Sequence, residues 1–143
     1  MRPNAVRAFT LLELAIALAI AGVLAAFAIP SYRSQVARAH RADAAAALYR
    51  AAQFVEAAAP ASIQELPAGL DQAPSSGAAI YKLRLLAADN TNGGYAIEAE
   101  PADAGPMHGD ACGAFVLEAT GRRSNRGGPG TGTTSTDDCW SAR

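Results

Sequence analysis

The sequence predicts an α+β fold in which one long N-terminal helix packs on a small antiparallel sheet that ends in a cysteine-bounded loop. Three observations carry this reading. Residues 9–29 form an apolar run whose only charge is Glu13, and beyond Pro30 the alanine-rich chain stays helix-favouring to about Ala59. Three short segments between Tyr81 and Thr120 alternate side chains with the period of half-buried strands. Cys112 and Cys139, the only cysteines, bracket a glycine-rich stretch.

The apolar run comes first. At about 1.5 Å per residue it reaches about 30 Å, the thickness of a bilayer core, so the chain is expected to be membrane-inserted at some stage. An ionisable group inside such a run costs about 2.5–3.5 kcal/mol at mid-membrane and less near an end. Glu13 therefore asks for a partner, the bland reading being a charge tolerated at a helix end. Gly22 weakens the helix and Pro30 lacks a backbone donor, which makes the segment between them the expected bend or melting point. In the second half, Leu48, Ala52, Val55 and Ala59 recur three or four apart and give one packing face. Pro60 and Pro67 stop the helix.

Residues 60–79, rich in Pro, Ala, Ser and Gly, read as a loop. In residues 81–86, Tyr81, Leu83 and Leu85 alternate with Lys82 and Arg84, and in 95–100, Tyr95, Ile97 and Ala99 alternate with Glu98 and Glu100. Pairing Arg84 with Glu98 and Lys82 with Glu100 also sets Leu83 opposite Ala99 and Leu85 opposite Ile97, so charge and polarity agree on one antiparallel register. A third strand, 114–120, places Phe115, Leu117 and Ala119 on one face and ends at Gly121. Residues 122–138 have almost no apolar side chain and read as a loop in need of a tether. A disulfide between Cys112 and Cys139 is the simplest such tether, and on the chain-entropy model it contributes roughly 3.6 kcal/mol. Two unrelated buried thiols are the alternative. The expected organisation is 1–8 a short basic leader, 9–30 the apolar helix, 31–59 its amphipathic half and 60–143 a globular head.

Composition excludes several function classes. The formal charge is −1, and setting aside Arg2 and Arg7 leaves an acidic excess, so no overall basicity points to nucleic acid. His40 and His108 have no companions at metal-ligand spacing, and nothing assembles a nucleophile with a base, so neither a cofactor nor catalysis is expected. The glycines from Gly127 to Gly132 lack the lysine and following helix of a phosphate-binding loop. Arg122, Arg123 and Arg126 are first a solvated stretch, with phosphate contact as the sharper reading; Arg33, Arg38, His40 and Arg41 are likewise first an interfacial, solvated helix face. The arginines flanking the apolar run disagree about topology, and a disulfide needs an oxidising compartment, which places the N-terminus inside and the head outside.

The run A-F-T-L-L-E at residues 8–13, after a short basic leader and before the apolar residues, resembles the N-terminal signature of type IV prepilins. The resemblance implies the type IV pilin fold and cleavage by a prepilin peptidase between Ala8 and Phe9, with Phe9 N-methylated. It implies that Glu13 meets the terminal amine of a neighbouring pilin subunit, and that Gly22 and Pro30 let the helix unwind on assembly. The family usually has glycine where this chain has Ala8, so slower cleavage is expected. D-A-C-G at 110–113 and D-D-C-W at 137–140 look most like PilE-type minor pilins. The implied partners are other pilin subunits, the peptidase and the inner membrane before assembly into an extracellular filament; nucleic acid has no support of its own at this level. Two rivals stand beside this. One is a type II secretion pseudopilin. The other is a secreted module released by ordinary signal peptidase at Ala26-Phe27-Ala28.

Overall fold

The structure is a computed structural model, and it describes residues 9–130, 132 and 134–141. Helix α1, Leu11–Ala57, opens at Thr10, whose hydroxyl accepts from the Glu13 N–H at 3.1 Å and whose carbonyl accepts from the Leu14 N–H at 3.1 Å. Thr10 and Glu13 stand at capping-box spacing, so the first turn satisfies donors that a helix start otherwise leaves bare. Gly22 and Pro30 both lie inside the helix.

Chain contacts divide the molecule at Val36. In the N-terminal unit every described side chain from Phe9 to Ile29 is exposed, so its leucines, isoleucines and phenylalanines have no cover from this chain. The helix is long and apolar enough to cross a membrane.

In the second unit, from Ala37 onward, α1 contributes Ala44, Leu48, Ala51 and Val55 to the core. The spacing is three or four residues, and two of the four are alanine, which lets a backbone approach a sheet closely. Leu48 and Val55 of the expected stripe are fully buried, Ala52 is half-buried, and Ala59 lies exposed beyond the helix end.

Five strands follow: β1 Gln72–Ala73, β2 Tyr81–Leu86, β3 Ala96–Pro101, β4 Ala114–Glu118 and β5 Arg123–Arg126. They form one antiparallel meander in chain order. The β2–β3 register is the expected one, with Arg84 opposite Glu98, Lys82 opposite Glu100, Leu83 opposite Ala99 and Leu85 opposite Ile97. Tyr81, Leu83, Ile97, Ala99, Phe115 and Leu117 join the helix residues in a single core.

Two segments differ from the expectation of loops. Residues 60–79 contain β1, which extends the sheet beyond β2. Residues 122–138 contain β5 and the start of helix α2, Thr136–Trp140. The third strand ends at Glu118 rather than at Gly121, which at φ 81 lies in the turn that leads the chain back along β4 as β5. The sequence R-S-N-R carries no apolar signal, and the strand exists because β4 offers it an unsatisfied edge. In α2, Ser135 is the N-cap, its hydroxyl accepting from the Asp138 N–H at 3.1 Å.

Candidate functional site

The expected site residues fall into two groups. Phe9, Glu13, Gly22 and Pro30 belong to the N-terminal unit, where Phe9 and Glu13 are exposed; Ala8 lies outside the described residues. Cys112 and Cys139 belong to the head, both buried, and are joined in a disulfide with Cα atoms 5.7 Å apart.

Around that disulfide the head builds a corner from four segments. On one side Asp110 takes both arms of Arg41: Nε donates to Oδ2 at 3.0 Å and Nη2 to Oδ1 at 2.6 Å. The Asp110 Oδ2 also accepts from the Cys112 N–H at 3.2 Å. The hydrogen bond to Asp110 holds Arg41 above its already high ordinary pKa, against a smaller opposing effect of burial. Arg41 is thus no member of a solvated basic face, because a carboxylate far along the chain captures it. Beside the pair, the Tyr81 hydroxyl is fully buried without a hydrogen-bond partner among the described residues. Burial first, and the nearby Asp110 charge second, push that phenol well above its ordinary range.

The glycine-rich segment seats itself by backbone contact. A Cβ on Gly128 would meet the Gly113 nitrogen at 2.4 Å and the Ala111 oxygen at 2.5 Å. Only hydrogen fits there. A cleft of about 250 Å3 opens beside this contact, and His108, Asp103 and Arg126 are among its lining residues. The described residues hold no cluster of side chains suited to a metal ion.

On the other side of the disulfide, Trp140 stands within a row of edge-to-face aromatic contacts. Tyr81 meets Phe115 at 5.9 Å, Phe115 meets Trp140 at 5.3 Å and Trp140 meets Tyr49 at 6.3 Å between centroids. The indole N–H donates to Asn125 Oδ1 at 3.1 Å, while Asn125 Nδ2 donates to the Cys112 carbonyl at 3.1 Å. The Arg123 guanidinium carbon lies 5.7 Å from the Trp140 ring centroid.

The arginines of the sheet differ in their partners. Arg84 hydrogen-bonds Glu98 through Nε at 2.7 Å, and that bond raises its pKa. Glu98, on the strand's charged face, is almost fully buried because Arg84 and Arg126 close over it. Arg122, Arg123 and Arg126 reach carboxylates only at 4.0 Å from Glu118, 4.0 Å from Asp137 and 3.7 Å from Glu98. These distances exceed hydrogen-bond range, so their N–H groups keep capacity for an outside anion. Sequence reasoning named the three arginines but not their placement on or beside one edge strand, Arg123 on the Trp140 face and Arg126 on the Glu98 face, since β5 carried no signal of its own. Nor did it find Asn125 or the Arg41–Asp110 pair, whose only sequence trace is an aspartate two residues before a cysteine.

Comparison with known proteins places the chain. Residues 3–29 match the prokaryotic N-terminal methylation motif. A fimbrial protein of Moraxella nonliquefaciens is 51% identical over 41 residues, a stretch that covers 29% of this chain and 27% of that protein. Residues 30–116 match the family described as type IV minor pilin ComP, DNA uptake sequence receptor; the match ends within β4, ahead of β5 and α2. With the apolar helix, the antiparallel sheet and the disulfide-closed C-terminal segment, this chain belongs to the ComP family of type IV minor pilins.

Proposed function

We propose that the chain is a minor subunit of a type IV pilus whose head captures double-stranded DNA along the β5 edge for uptake. The observation that carries this is the placement of Arg122, Arg123 and Arg126 on or beside one edge strand, with loosely engaged guanidinium groups. Arg122 and Arg126 project from one face of the strand and Arg123 from the other, so a duplex laid along this edge meets guanidinium groups from both faces over about 10 Å of extended chain. Two facts support the reading: the family is described as a DNA uptake sequence receptor, and it is a family of structural pilins rather than of enzymes. The net charge of −1 makes a local patch, not the whole surface, the source of affinity.

The test is DNA binding by the full-length chain in nonionic detergent across a salt series. Substituting Arg122, Arg123 and Arg126 by alanine is expected to weaken binding and to lower the salt slope by up to about 0.9 per lost phosphate contact. Wild-type protein with no salt-dependent affinity for duplex DNA would refute the DNA reading.

Delivery of this head to a filament rests, in the same proposal, on the N-terminal unit. Prepilin peptidase cuts between Ala8 and Phe9 on the cytoplasmic side of the inner membrane, Phe9 is methylated, and the apolar helix stays with the mature chain. Outside the membrane that helix packs among other pilins, where Glu13 meets a neighbour's terminal amine in low dielectric and Gly22 and Pro30 permit local unwinding. The methylation motif and the exposed apolar helix support this. Glu13→Ala is expected to be processed, with Phe9 as the mature N-terminus by mass spectrometry, yet to be missing from sheared pili. Normal incorporation would refute the role of Glu13, and a mature chain beginning at Ile29 would refute the retained helix. A ComP family match favours a pilus subunit over a secretion pseudopilin.

A further inference from the structure

We infer that Asn125 is a positioning residue for DNA capture, acting through Trp140 on Arg123; the inference rests on the DNA reading above. Arg123 and Asn125 lie two residues apart on β5 and so project from the same face of the strand, toward Trp140. An arginine on an edge strand ordinarily samples many rotamers, and ordering it costs about 2 kcal/mol of side-chain entropy. Here the indole supplies a surface that restricts it.

That surface is only as fixed as the indole. Trp140 sits near the end of a five-residue helix, where little else of its own element holds it. The disulfide at Cys139 anchors its backbone, and Phe115 and Tyr49 meet the ring edge-to-face. Neither contact fixes the direction of the N–H. The Asn125 amide does, with its oxygen on the indole and its nitrogen on the Cys112 carbonyl. It spans the same two segments as the disulfide and forms a second brace beside it. The guanidinium rests against the ring, while Asp137, highly exposed and 4.0 Å away, leaves its outer N–H groups free to meet a phosphate.

The experiment is a double-mutant cycle on the full-length chain in nonionic detergent, with Kd and salt slope for duplex DNA as readouts. Trp140 is the only tryptophan, so its emission reports the indole directly. Asn125→Ala is expected to shift Trp140 emission and to raise Kd about two- to fivefold, the scale of a partly exposed cation-π contact. In an Arg123→Ala background the same substitution is expected to leave Kd unchanged, because the residue it positions is gone. A general loss of stability would persist in both backgrounds. Should Asn125→Ala not fold, Trp140→Phe carries the test: it removes the N–H but keeps a ring, and its DNA penalty is likewise expected to vanish beside Arg123→Ala. A wild-type chain that does not bind duplex DNA at about 50 mM salt overturns the DNA reading and this inference together. A wild-type chain that binds, with an undiminished penalty in the Arg123→Ala background, overturns the role of Asn125 alone.

Discussion

Arg41 and Asp110, 69 residues apart, close a two-pronged ion pair at 3.0 and 2.6 Å that joins the head half of α1 to the turn carrying Cys112. The Asp110 side chain is 9% exposed and that of Arg41 22%. Breaking one partner strands the other charge in a partly dry site. Arg41→Met or Asp110→Asn is therefore expected to cost about 2–4 kcal/mol, toward the lower end because water still reaches the arginine. Denaturant unfolding checks it. The double variant is expected to be less harmful than the sum of the singles.

The disulfide closes a loop over a sequence separation of 27. Replacing Cys112 and Cys139 together by serine is expected to cost roughly 3.6 kcal/mol and to make the segment around β5 protease-sensitive. Limited proteolysis with mass mapping should find the first cuts between residues 122 and 138. Unchanged melting would mean that the glycine contacts and the Asn125 brace hold the corner alone.

Gly128→Ala is expected to cost about 3 kcal/mol, since its Cβ would sit 2.4 Å from the Gly113 nitrogen and neither backbone can yield while the disulfide is closed. Gly77→Ala supplies the comparison. That glycine has φ 84 but open space around it, so only the backbone penalty of about 1 kcal/mol applies. Thermal melts of the two variants should differ clearly.

The hydroxyl of Tyr95, a buried residue, donates to Glu56 Oε1 at 3.0 Å, and burial, with that hydrogen bond second, raises its pKa to about 12. A phenol whose pKa is raised by folding contributes stability that is complete below its unfolded pKa of about 10. The contribution is lost as pH rises through the folded value, about 12. Stability is expected to fall across that window, and Tyr95→Phe to flatten the fall; denaturation midpoints measured against pH give the answer.

The sequence by itself determined the apolar stem and its lone Glu13, the helical stripe through Leu48 and Val55, and the β2–β3 register, because each is written in the local order of apolar and charged side chains. The pairing of Cys112 with Cys139 was legible for another reason: there were no other cysteines to choose. Tertiary structure alone decided what joined segments distant in the chain. It took Arg41 from a basic cluster to Asp110 and buried Glu98 between two arginines. It made β5 a strand on the strength of β4's unsatisfied edge, and set Asn125 between Cys112 and Trp140. Such contacts depend on which polar groups the fold leaves needing partners, and no window of sequence contains both halves of that question.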